Sequence, residues 1–102
     1  MEQRKEIRTA LFAPVEVSTG KLTCREIIQD ISLDGAFIET SRRMPVGESL
    51  LLSFTFPSYQ ETISLACRVV RNDAKGIGIQ FSEPSAEAVM QIRAKSIPVP
   101  AG

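Results

Sequence analysis

Two short segments carry residue types that could hold a polar or anionic ligand. The first is Arg4-Lys5-Glu6-Ile7-Arg8, in which two arginines lie four apart ahead of any predicted strand. A guanidinium offers a planar fork of donors that suits phosphate and carboxylate groups. The second is Asp30-Ile31-Ser32-Leu33-Asp34-Gly35, where a predicted strand runs into a tight turn. On an extended strand Asp30 and Ser32 point to one side and Ile31 to the other. With Ile31 in the core, Asp30 and Ser32 fall on the outer wall, and Gly35 lets a backbone or a ligand approach closely. Each segment also has a plainer reading. Arg4, Lys5 and Arg8 could be a solvated charge run paired with Glu2 and Glu6, and Ser32 to Gly35 could be turn chemistry alone.

The elements that must position these residues are short strands punctuated by turn signals. Strands are predicted over Thr9–Ser18, Leu22–Leu33, Ala36–Ile38, Ser49–Phe56, Ile63–Arg71 and Ile77–Phe81. Leu50, Leu52, Phe54 and Phe56 share a face, as do Ile63, Leu65, Cys67 and Val69, and likewise Ile77, Ile79 and Phe81. Asp34-Gly35 reads as a hairpin turn in which glycine supplies a positive φ. Six strands with hairpin connections predict an antiparallel sandwich or barrel, and closure would remove exposed edges. The period then changes. Ser82-Glu83-Pro84-Ser85 is a helix-start signature, and Ala86, Val89, Met90, Arg93, Ala94 and Ile97 recur at helical spacing until Pro98 and Pro100 stop the run.

Composition narrows the function classes. The 102 residues suit one domain, and 43% apolar content suits a folded one. Twelve basic and twelve acidic residues give zero net charge, which argues against sequence-blind duplex binding but leaves room for a small anionic ligand. No histidine is present, which removes imidazole bases, Ser-His and Cys-His pairs and His-containing metal sites. Cys24 and Cys67 lack close metal-ligand spacing and read as reduced, buried small hydrophobes. No signal-peptide core or membrane-length apolar run is present, so the expected location is the cytoplasm. Neither a nucleophile–base pair nor a phosphate loop is visible, which disfavours an enzyme. A single-strand nucleic-acid binder would need a basic groove and exposed aromatics that are not evident.

The two segments together resemble the PilZ family, whose signature is RxxxR followed by [D/N]xSxxG. Arg4 and Arg8 match the first part, and Asp30, Ser32 and Gly35 the second. Gly35-Ala36-Phe37-Ile38, Val70-Arg71 and Gly76-Ile77-Gly78-Ile79-Gln80-Phe81 extend the likeness over almost the whole chain. The second motif alone should arise in roughly a few per cent of chains this long, so its ordered pairing with RxxxR reverses the plainer readings. The resemblance implies an all-β fold, a six-stranded antiparallel barrel with a C-terminal α-helix. The expected layout is a single domain over 1–102, with a flexible ligand-binding arm at 1–8, the barrel at 9–82 and the helix at 84–97.

The resemblance also implies a ligand, cyclic di-GMP, and a receptor that passes the signal to a protein partner without catalysis. Guanidinium forks suit its phosphates and the guanine O6/N7 edge, and a carboxylate accepts from guanine N–H donors. The implied ligand-binding residues are Arg4, Arg8, Asp30, Ser32 and Gly35, with Gln3, Lys5 and Arg71 as further candidates, and a structural ion pair is an equal reading of Arg71. Neither a cofactor nor a metal is implied. Many ligand-binding members carry a second arginine immediately before RxxxR, where this chain has Gln3, a departure that bears on ligand stoichiometry. The competing expectation is a ligand-independent adaptor of the same fold in motility or pilus assembly. Arg42-Arg43 has no place in the motif; partner contact and plain solubility are both open readings of it, and solubility is the favoured one.

Overall fold

Six antiparallel strands close into a barrel in the order β1-β2-β3-β6-β5-β4. A computed structural model describes residues 9–82 and 86–96. The strands are β1 (Thr9–Ser18), β2 (Thr23–Ile31), β3 (Gly35–Glu39), β4 (Ser49–Phe56), β5 (Glu61–Asn72) and β6 (Gly76–Phe81). A short 3-10 turn at Pro57–Tyr59 joins β4 to β5, and the helix α1 spans Ala86–Ser96. The expected arm at 1–8 lies outside the described residues, as do Pro84, Ser85 and Ile97 of the expected helix.

Alternation of apolar and polar residues builds the barrel interior. Leu50, Leu52 and Phe54 of β4, Leu65, Cys67 and Val69 of β5, and Ile77, Ile79 and Phe81 of β6 all join one buried cluster. Each such side chain contributes about 1.5–3 kcal/mol when fully buried. On the outer side of β4 and β5 the opposed hydroxyls pair, Ser53 with Ser64 at 3.1 Å and Thr55 with Thr62 at 3.4 Å.

Three of the ladders carry bulges, and the two that meet on β2 reset this alternation. Ile28 and Ile31 lie three apart, yet both are fully buried, because the β2–β3 register shifts between Ile28 and Asp30. The same point on the β1–β2 ladder is irregular between Ala10 and Ala13 and contains Phe12, with φ 50° and two-thirds exposed. An extra residue in a ladder produces this local kink and unpaired position.

Helix α1 packs with Val89 and Ile92 buried and Ala88 partly so. The predicted stripe is therefore displaced, because Met90 is 60% exposed and Ala94 is also exposed. Lys95 fixes the last turn through an ion pair to Glu61 at 3.2 Å and a position over the Tyr59 ring at 4.9 Å. Its charge also suits the carbonyl end of a helix. Cys67 is buried as expected, whereas Cys24 is half-buried, and both thiols are free.

A candidate ligand site on the barrel wall

Strand register carries one row of residues across the outer wall. Asp30 of β2 pairs with Phe37 of β3, Phe37 with Gly78 of β6, and Gly78 with Arg71 of β5. Their neighbours Ile31, Ala36 and Ile79 point inward and are buried, so this row faces out. Asp30 is half-buried and engaged in a polar or electrostatic interaction. Phe37 is covered, at 8% exposure, and the Arg71 guanidinium carbon lies 5.6 Å from its ring centre.

Gly78 makes that stacking available. A Cβ there would sit 3.1 Å from Arg71 Cγ and 3.3 Å from its guanidinium carbon, so the arginine lies flat across a position without a side chain. The Arg71 Nε is also 4.0 Å from Asp73 Oδ2, a loose pair between half-exposed groups. The charge at Arg71 therefore remains available to a ligand, since such a pair is worth about 1 kcal/mol or less.

The row is the centre of a local two-fold likeness between the β2–β3 and β5–β6 hairpins. In each the strand bulges, at Ile28–Asp30 and at Val69–Arg71. In the first turn the Ser32 hydroxyl accepts from the amides of Asp34 and Gly35, each at 3.3 Å, while the Ser32 amide donates to the Gly35 carbonyl at 2.8 Å. In the second the Asp73 carboxylate accepts from Lys75 at 2.9 Å and Gly76 at 3.3 Å, while its amide donates to the Gly76 carbonyl at 2.9 Å. Asp30 and Arg71 thus occupy equivalent places, an anion and a cation at opposite ends of one row.

Two expectations need correcting here. Ser32 is not on the outer wall but fully buried, because β2 ends at Ile31 and the chain turns before the strand period reaches it. Its side chain holds the turn, and its amide group closes it. Gly35 is not needed for a positive φ, since Gly47 alone among the described glycines has one. Its reason is proximity: a Cβ on Gly35 would overlap the Ile79 carbonyl oxygen, and one on Gly76 would overlap that of Ile38. The Asp34 carbonyl, accepting from Phe81 N at 2.8 Å, ties the same turn to β6.

Of the sequence-predicted site residues, Asp30 and Arg71 stand at the two ends of this row and Ser32 and Gly35 in the turn beside Asp30, whereas Gln3, Arg4, Lys5 and Arg8 lie outside the described residues. Phe37 and Gly78 were not singled out as site residues. Counting the hairpin register outward from the Ser32–Gly35 turn would have placed Phe37 opposite Asp30.

The family model described as the PilZ domain matches residues 2–96. The chain belongs to the PilZ domain family. PilZ domains are typically cyclic di-GMP receptors and act as binding or adaptor domains. Among solved structures, the PilZ barrel is similar to the Bacillus subtilis inhibitor of motility (MotI/DgrA), at 22% identity and a TM-score of 0.68 over 93% of this chain. The chain spans half the length of that protein. It is also similar to an uncharacterized Legionella protein, at 17% identity and a TM-score of 0.58 over 87% of this chain and 96% of that one. No curated protein matches the sequence. Among the described residues no helix is long and apolar enough to cross a membrane, and no cluster of potential metal ligands occurs.

Proposed function

We propose that this PilZ domain binds cyclic di-GMP and thereby changes the surface it offers to a protein partner. Arg4 and Arg8 supply guanidinium forks for phosphate or the guanine edge, and Asp30 accepts from guanine N–H donors. Arg71, flat over Gly78 and Phe37, offers a face for stacking a base. Ser32 and Gly35 act by fixing the turn beside Asp30. The observation that carries this reading is register: Thr9 pairs with Ile31 and Ala10 with Asp30, and Arg8 is the residue before Thr9 in sequence. β1 therefore starts beside the Asp30 carboxylate, directly after the RxxxR segment in sequence, which supports a ligand shared between the two motifs.

A ligand that binds only one arrangement of the segment ahead of β1 shifts the population toward it, which is sufficient for a switch. The similar Bacillus subtilis protein is an inhibitor of motility, which makes a motility component the first class of partner to test. The cytoplasm, where such a messenger and partner would meet the domain, is the proposed location.

Calorimetry of the purified chain with cyclic di-GMP, and with GTP and cyclic GMP as controls, tests the reading. Binding at low-micromolar strength, roughly 8 kcal/mol, is expected for cyclic di-GMP. A flat titration at millimolar nucleotide with folded protein would promote a ligand-independent adaptor. One observation favours that second reading: Ser32 and Gly35 are fully employed by the turn, and Asp73 and Gly76 repeat the same turn without belonging to the motif.

A further inference from the structure

The opposite end of the barrel holds an unabsorbed motif, Arg42-Arg43. β1 begins at Thr9, opposite Ile31, and ends at Ser18, opposite Thr23. The β1–β2 turn therefore lies at the far end from the Ser32–Gly35 turn. Between it and the β3–β4 loop is a groove of about 280 Å³, lined by Lys21, Leu22, Arg42, Arg43, Pro45 and Glu48 among others.

Both walls of the groove have a fixed backbone. In the β1–β2 turn, Thr19 Oγ1 accepts from the amides of Lys21 at 3.1 Å and Leu22 at 3.2 Å. In the β3–β4 loop, the Arg42 amide donates to Thr40 Oγ1 at 3.0 Å. Two residues on, Met44 is buried and held at both backbone groups by Asn72 of β5: its amide donates to Asn72 Oδ1 at 3.0 Å, and its carbonyl accepts from Asn72 Nδ2 at 2.7 Å. Gly47 N to Val69 O, at 2.8 Å, pins the loop again further on. Arg42 and Arg43 are thus presented from an anchored segment, so little order remains to be imposed on the backbone when a partner binds.

Charge identifies the occupant. Lys21, Arg42 and Arg43 face the groove against Glu48 alone, in a chain whose total charge is zero. Arg42 reaches Glu26 at 3.8 Å with its side chain half exposed, and among the described residues neither Lys21 nor Arg43 makes an ion pair. Leu22, 46% exposed, adds apolar surface beside the cations, and Val46, which follows the groove-lining Pro45 in the loop, is 65% exposed. We propose that this groove docks an acidic segment of a partner protein, with carboxylates on Lys21, Arg42 and Arg43 and an apolar side chain on Leu22 and Val46. A contact of this size is a weak, transient one, and its specificity is electrostatic.

The test uses the full chain without nucleotide, so its outcome and that of the cyclic di-GMP titration are independent. The probe is a short labelled peptide, Glu-Asp-Leu-Glu-Glu-Phe-Asp-Glu, with a second peptide carrying Lys at every acidic position as control. The acidic peptide should bind and the basic one should not. The double substitution Arg42→Glu/Arg43→Glu should weaken binding roughly tenfold or more, and raising the salt well above about 0.1 M should do the same. Asn72→Ala keeps all three cations but frees the loop, and should weaken binding several-fold while the chain still melts cooperatively. No binding at millimolar peptide, equal binding of the two peptides, or unchanged affinity in the charge-reversed protein would overturn the proposal. So would tight, Arg42- and Arg43-dependent binding to anionic phospholipid vesicles by a protein indifferent to the peptide.

Discussion

Arg71 and Phe37 are brought together across a strand that separates them: the guanidinium carbon lies 5.6 Å from the ring centre because Gly78, between them in the row, has no side chain to intervene. Arg71→Ala should lower cyclic di-GMP affinity by about tenfold, the value of a lost stacking or charged contact. It should lower the melting temperature by no more than about 4 °C, since its other contacts are a half-exposed pair and one ring. Calorimetry and a thermal melt on the same preparation check both halves. Unchanged affinity would remove Arg71 from the site.

Gly35 and Gly76 are irreplaceable for a steric reason, and Gly20 is not. Gly35→Ala and Gly76→Ala each drive a Cβ into a carbonyl oxygen of the paired strand, at Ile79 and Ile38. Each should cost about 3 kcal/mol or more, and Gly35→Val should harm folding and binding together. Nothing lies within 4 Å of a Cβ on Gly20, so Gly20→Ala should be neutral or slightly stabilising. Urea denaturation midpoints of the three alanine variants decide it. Similar midpoints for all three would contradict the close approach.

The Cys67 thiol is pushed up from 9.0 to about 12 by burial. Unfolded, it ionises near its ordinary value, while folded it keeps its proton. Between pH 9 and pH 12 the unfolded chain therefore binds fewer protons, and stability falls as pH rises, by at most about 1.4 kcal/mol per pH unit from this group. The contribution is intact below pH 9. Cys67→Ala should be less stable at neutral pH, with the gap to wild type narrowing across that window. Parallel stability curves would contradict the account. At pH 8 a thiol reagent should label Cys24 readily and Cys67 only on unfolding.

Helix α1 is held by Ile92 and Val89 rather than by Met90. Ile92→Ala should cost about 2–5 kcal/mol and Met90→Ala less than about 0.5 kcal/mol, measured by denaturation. Equal effects would mean that the helix packs on the other stripe.

The strands were legible because β4, and β5 as far as its bulge after Val69, alternate regularly, and Ile77, Ile79 and Phe81 recur at every second residue of β6, so period alone names their inward residues. β2 was legible only in part: its bulge brings Ile28 and Ile31 inward together, and no residue type at Gln29 announces a bulge. Ser32 was misplaced for the same kind of reason, since the strand period was carried one residue past its end. The helix stripe slipped because Ala86, Met90 and Ala94 also recur at helical spacing, and only contact with the barrel selects Ala88, Val89 and Ile92. In the site, the motif pointed to Asp30 and Gly35, but the row joining Asp30 to Arg71 depends on pairing among four strands. The two turns that frame it, Ser32 to Gly35 and Asp73 to Gly76, use different side chains for one geometry, which hides their likeness from sequence.

The central claim is that the segment bearing Arg4 and Arg8 shares a cyclic di-GMP site with Asp30. It is tested most directly by titrating wild type and Arg8→Ala with cyclic di-GMP and recording each protein's melting temperature. The account predicts low-micromolar binding by wild type and a roughly ten- to a hundredfold loss in Arg8→Ala, the cost of one charged hydrogen-bonding partner of about 1.5–3 kcal/mol, with little change in melting temperature. Ser32→Ala should lose less affinity, because Ser32 acts through the turn. Wild-type affinity in Arg8→Ala, or a loss explained entirely by unfolding, would contradict it.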